Sequence, residues 1–225
     1  MRAILDIQHK GKPGKNDLGA AHDLDGDGVI EQFENEAELT PIYAEHAKRA
    51  LELAGVDVVI LDRGAYTTRH KKAGDLAAEW SGPVAYVACH LNKGRGDYGL
   101  VVHDYRSTGG NLLATRLRAS LLKALRPEVR RVINGRTGPE RRPATSASAA
   151  AWDQMPTTGG VQHWPRPWYT IRGIYDGPPN ISGVCFEPCF MDSHADLVKV
   201  DGDGLERIGR ALAAGLLDWF ARRAH

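Results

Sequence analysis

Three short apolar runs, AILDI (3–7), VDVVILD (56–62) and PVAYVAC (83–89), alternate with segments of helical spacing. No other feature restricts the fold as much. Each run is too short for a buried helix and reads as a buried strand, and strands joined through helices make a parallel sheet covered by those helices. YGLVVHD (98–104) and ISGVCFE (181–187) read as further strands. Thr40-Pro41 reads as a helix start, with Thr as N-cap and Pro at the first helical position, and Gly55 as the residue that ends that helix. A polar helical segment is expected at about 66–80, and amphipathic helices at 111–125 and 204–223. The expectation is a single α/β domain, 1–225, with a largely parallel twisted sheet of about six strands flanked by helices. Residues 134–180, rich in Gly, Pro, Arg, Trp and Ser, break the rhythm and read as a long excursion with little regular structure.

Charge narrows the function. Lys and Arg number 29 against 28 Asp and Glu, which argues against a nucleic-acid or membrane-surface binder. The start, MRAILDIQHKG, lacks a signal-peptide pattern, and no stretch is long enough to span a bilayer. The chain is therefore expected to be made in the cytoplasm, without membrane insertion, and to be a monomer. The three cysteines, Cys89, Cys185 and Cys189, are too few for a disulfide framework and read as buried free thiols, with a Cys185–Cys189 bridge as the lesser alternative.

Residues 23–34, DLDGDGVIEQFE, match the twelve-residue calcium-loop template at every position. Asp23, Asp25 and Asp27 fill positions 1, 3 and 5, Gly28 the sharp turn, and Val29 offers a carbonyl. Ile30 is the apolar anchor, Glu31 stands at position 9, and Glu34 is the bidentate acid at position 12. So many carboxylates in one turn repel one another without a cation. A calcium sensor pairs two such loops and this sequence has one, so a structural Ca2+ is the expectation.

The polar residues just past the strand ends carry the chemistry, because sites in open parallel sheets form there. His9 follows the first strand, His90 the strand 83–89, and Glu187 ends the strand 181–187. Two imidazoles and a carboxylate with an open fourth position is the usual catalytic zinc arrangement, and a further carboxylate can take the proton of the attacking water. Spacing alone does not say which acid completes the metal set.

At these residues the chain resembles the zinc-dependent N-acetylmuramoyl-L-alanine amidases (amidase type 3) of bacterial wall remodelling and phage endolysins. The family's opening Asp-Pro-Gly-His-Gly stands here as DIQHKG, its Ser-Ile-His-Ala-Asn as VACHLN, and its Val-Glu-Thr-Gly-Phe segment as CFEPCFMDSHAD. The end of the first helix, LELAGVDVVILDR, and RHKKAG (69–74) also match, with Ile7 and Gln8 in place of Pro-Gly and Gly74 in place of Asn. The resemblance implies zinc ligands His9, Glu36 and His90, with Glu36 just ahead of the first helix, and a catalytic acid/base at Glu187. It implies a peptidoglycan substrate, cleaved between N-acetylmuramic acid and L-alanine. The calcium loop ends two residues before Glu36 and would fix the backbone that presents it.

Asn92 follows His90 closely and either orients substrate or supports its turn. Trp164 and Arg172, in the excursion, suit sugar rings and stem carboxylates, and would equally serve to pack the loop. Rival readings are a zinc peptidase acting within the stem peptide and a non-enzymatic calcium-dependent binding module. The favoured context is an endolysin reaching the cell wall after a membrane-permeabilising, holin-type partner releases it.

Overall fold

The computed structural model describes residues 1–11, 17–137, 157–158, 161–164 and 173–223. In chain order its elements are β1 (Arg2–Ile7), α1 (Glu36–Leu53), β2 (Asp57–Leu61), α2 (Tyr66–Ala78), β3 (Val84–Cys89), β4 (Tyr98–His103), α3 (Thr108–Leu125), β5 (Arg131–Thr137), β6 (Thr157–Thr158), β7 (Val161–Trp164), β8 (Ile181–Glu187), α4 (Ala195–Val198) and α5 (Gly204–Ala221). They build one α/β sandwich around a sheet of order β2-β1-β3-β8-β4-β5-β7-β6. Six of these strands are substantial, as expected. The two short ones, β6 and β7, form an antiparallel pair on the far edge, inside the excursion. Strands β2, β1, β3 and β8 run parallel, and β4 pairs antiparallel to β8.

Side chains alternate across the sheet as strand geometry requires. Ala85, Val87 and Cys89 of β3 face the layer made by α1, α3 and α5. Val84, Tyr86 and Ala88 face the other layer, where α2 contributes Ala73 and Ala77. Helix α5 lies against both α1 and α3, and its glycines permit the approach. A Cβ on Gly209 would stand 2.4 Å from the Tyr43 carbonyl oxygen, and one on Gly215 would stand 2.8 Å from Leu117. All three cysteines are buried free thiols, so no Cys185–Cys189 bridge forms.

Helix α1 departs from expectation. It starts at Glu36, behind an Asn35 N-cap, and Pro41 lies within it. Its first amide groups find partners in the preceding loop: Glu36 N–H donates to the Ala20 carbonyl at 2.7 Å and Ala37 N–H to the Leu18 carbonyl at 3.1 Å. With those donors satisfied, the helix needs no cap at Thr40, whose buried hydroxyl makes no hydrogen bond. Gly55 does end the helix in the left-handed conformation, φ 79°, with its N–H on the Glu52 carbonyl. Strand β5 was not foreseen; it occupies the start of the stretch read as irregular.

Candidate metal centre

Strands β1 and β3 are neighbours, paired up to Ile7 and Cys89, so the residues just beyond them leave the sheet side by side. That places the His9 and His90 rings 5.2 Å apart between centroids, nearly perpendicular. Glu36, at the first position of α1, reaches between them. Its Oε1 lies 2.6 Å from His90 Nδ1 and its Oε2 lies 3.6 Å from His9 Nε2. The ligand atoms of His9, Glu36 and His90 all fall within 4.8 Å of one another. Glu36 is thus delivered by a helix N-terminus, which favours its negative charge. Its carboxylate also accepts from the Ala20 and Leu91 amides.

The backbone at His9 is bent to serve this geometry. His9 adopts φ 67°, a left-handed conformation that costs a non-glycine residue on the order of 1 kcal/mol. Tyr66 Oη receives its N–H at 3.2 Å, and Asp17 Oδ1 receives its Nδ1–H at 2.8 Å, which leaves Nε2 for the cleft. Gly19, φ 69°, closes over the group, and a Cβ there would stand 2.4 Å from Glu36 Oε2. Asp17, Gly19 and Tyr66 are absent from the sequence reading.

Glu187 ends β8, next to β3, and lines the same cleft of about 440 Å³ as His9, Glu36 and His90. Burial raises its pKa to about 7; His90 works against that rise and Glu36 adds to it. Asn92, expected either to orient substrate or to support its turn, donates its side-chain amide to Glu187 Oε2 and so holds that carboxylate. Burial opposes the charged form of His90, yet Cys185 and Glu36 beside it hold its pKa well above the usual imidazole range.

The acidic loop divides. Asp23, Asp25 and Asp27 bring carboxylate oxygens within 4.8 Å of one another, and Glu31 and Glu34 are not part of that set. Glu34 instead accepts from the Leu24 and Glu31 amides at 2.6 and 2.9 Å. Its pKa is lowered by those bonds, as that of Asp23 is by the Gly28 amide. Ile30, expected as an apolar anchor, is 43% exposed and Val29 is 55% exposed. The loop closes through an Ala21–Asn35 bridge, next to Glu36.

The backbone of Trp164 stands at the opposite end of the sheet from Glu187. Strand β7 follows β5 and β4 away from the end where β8 presents Glu187, and Trp164 pairs with Thr137 at the exit of β5. Arg172 lies outside the described residues.

No protein-family model matches the sequence, and no curated protein matches it. Solved structures do. N-acetylmuramoyl-L-alanine amidase AmiC2 of Nostoc punctiforme superposes with a TM-score of 0.61 over 99% of this chain and 98% of that one, at 16% identity. The fold is that of the N-acetylmuramoyl-L-alanine amidases. The CwlD amidase of Clostridioides difficile, solved with the GerS lipoprotein, gives 0.60 over 98% of both chains at 14% identity. The catalytic domain of the CD27L endolysin, which targets Clostridia difficile, gives 0.51 over 97% of both at 16% identity. In this chain the cleft lies at the carboxyl ends of the parallel strands β1, β3 and β8.

Proposed function

We propose that the protein is a zinc-dependent N-acetylmuramoyl-L-alanine amidase that hydrolyses the bond between N-acetylmuramic acid and L-alanine in peptidoglycan. The observation that carries this reading is the convergence of His9, Glu36 and His90 within 4.8 Å, in a cleft that also holds Glu187. Two imidazole nitrogens and one carboxylate suit a catalytic zinc ion, and the open cleft leaves room for water and substrate. When bound, zinc supplies the Lewis acidity for attack of water on an amide carbonyl.

Glu187 takes the proton of the attacking water and returns it to the leaving nitrogen, and a pKa of about 7 suits both transfers. The hydroxyl remains on the lactyl carbonyl carbon as a carboxylic acid, and the stem peptide departs with a free alanine amine. Asn92 aims the Glu187 carboxylate. Asp17 and Tyr66 hold the His9 ring.

In the same reading, Asp23, Asp25 and Asp27 hold calcium, aided by the Val29 carbonyl and by Glu31 and Glu34 once the loop tightens. The cation braces the stem that runs through Ala21 and Asn35 into Glu36. The enzyme acts as a monomer on the bacterial cell wall, in an endolysin-like role after membrane permeabilisation. Among the described residues no helix is long and apolar enough to cross a membrane.

Metal analysis of the purified protein, with a turbidity assay on isolated walls with and without chelator, tests the proposal. The expected result is one zinc per chain, chelator-sensitive lysis, and new N-terminal alanine in the digest. Cuts deeper in the stem peptide would make it a peptidase, and calcium binding without zinc or lysis would make it a binding module.

A further inference from the structure

We infer that Gln8 is a positioning residue, which holds the Nε2–H of His90 through a chain of buried hydrogen bonds that begins at Arg69. This rests on the zinc reading above.

Arg69 is an obligate donor, and its Nη1 donates to Asp6 Oδ1 at 2.9 Å. Asp6, fully buried, forms an ion pair with it and presents its carboxylate oxygens as acceptors. Its Oδ2 accepts from the Tyr86 hydroxyl at 2.5 Å and from Gln8 Nε2 at 3.2 Å. A carboxylate on that side forces the Gln8 carboxamide to present its NH₂ inward and its Oε1 outward. That Oε1 stands 3.1 Å from His90 Nε2. An amide oxygen only accepts, so His90 Nε2 must carry hydrogen. Glu36 Oε1, 2.6 Å from Nδ1, also only accepts, so Nδ1 carries the second ring hydrogen until an ion takes its place, and Gln8 keeps the one on Nε2.

Every member of this chain is almost wholly buried: Gln8 and Arg69 at 1% exposure, Asp6 and Tyr86 at 0%. None can reverse its polarity by turning to water. Arg69 also donates to the Ile7 carbonyl at 2.6 Å and to the Lys10 carbonyl, the residues on either side of Gln8 and His9. One guanidinium thus sets the backbone around His9 and, through Gln8, the ring of His90. The glycine that the amidase motif carries at this position has no side chain with which to do so.

The test uses Gln8→Leu, which keeps bulk and loses the acceptor, and Gln8→Glu, which keeps an acceptor toward His90. Zinc affinity is read by competition with a chromophoric chelator. The His90 Nε2–H is read by ¹⁵N NMR on metal-free protein, as its protection from exchange with water. Gln8→Leu should weaken zinc binding about 10- to 100-fold and speed the exchange of that hydrogen. Gln8→Glu should keep the exchange slow and recover most of the affinity. Equal affinity in wild type and Gln8→Leu, or equal losses in both variants, overturns the inference. If Gln8→Leu does not fold, the wild-type spectrum decides, because a His90 Nε2–H in free exchange with water overturns it unaided. A wild type that binds no zinc sinks the zinc reading alone, while exchange of the Nε2–H in the metal-free protein still judges Gln8.

Discussion

Glu187 sits where burial keeps a carboxyl near neutrality, with Asn92 as a donor to one oxygen. Glu187→Gln keeps the shape and removes the base, so kcat should fall about 10²- to 10⁴-fold with zinc content unchanged, checked by wall turbidity and metal analysis together. Asp17→Ala frees the His9 ring, and zinc affinity should drop about 10- to 100-fold in chelator competition. His9, His90 and Glu187 were legible in the sequence because position just past a strand end is a property of the chain itself. Asp17, Tyr66 and Gln8 were not, because what matters is their partners. Tyr66 meets His9 from 57 residues away and Gln8 meets His90 from 82, and side-chain pairing at such separations has no period to read.

At the level of elements, β1, β2, β3, β4 and β8 were legible almost to the residue, since a buried strand announces itself by its apolar run, whereas β5, β6 and β7 were not. The start of α1 was misread because Thr40-Pro41 is a strong local signal and the true start draws its partners from the loop, at Ala20 and Leu18. A measurement separates the two. If Thr40 were a cap, Thr40→Val would cost about 1 kcal/mol. Its hydroxyl is buried without a partner, so the substitution should be neutral or stabilising in urea denaturation. The acidic loop gives another prediction. Calcium should raise the melting temperature of the wild type, by about 2.7 kcal/mol of stability at a hundredfold excess over the dissociation constant, and should leave Asp23→Ala/Asp25→Ala unchanged. Equal responses in the two proteins would remove calcium from the account. The loop's ligands were readable as a string, but the exposure of Ile30 was not, since burial depends on what packs over a residue and not on its place in a template.

Across the whole molecule, the helical layer formed by α1, α3 and α5 is set by close backbone approach. Gly209→Ala would press a methyl into the Tyr43 carbonyl and should destabilise by about 1–3 kcal/mol, seen as a lower urea midpoint. The overall architecture followed from the strand–helix alternation. The reversal of β4 did not, because direction within a sheet is a matter of which neighbour a strand finds. That reversal sorts the loops into two populations. β1, β3 and β8 empty their connections over the cleft, whereas β4 and β5 only enter there and discharge at the opposite rim. Evolution can therefore rewrite the short turn from β4 to α3, residues 104–107, without disturbing the chemistry, and an engineer could splice a cargo domain there on the same grounds.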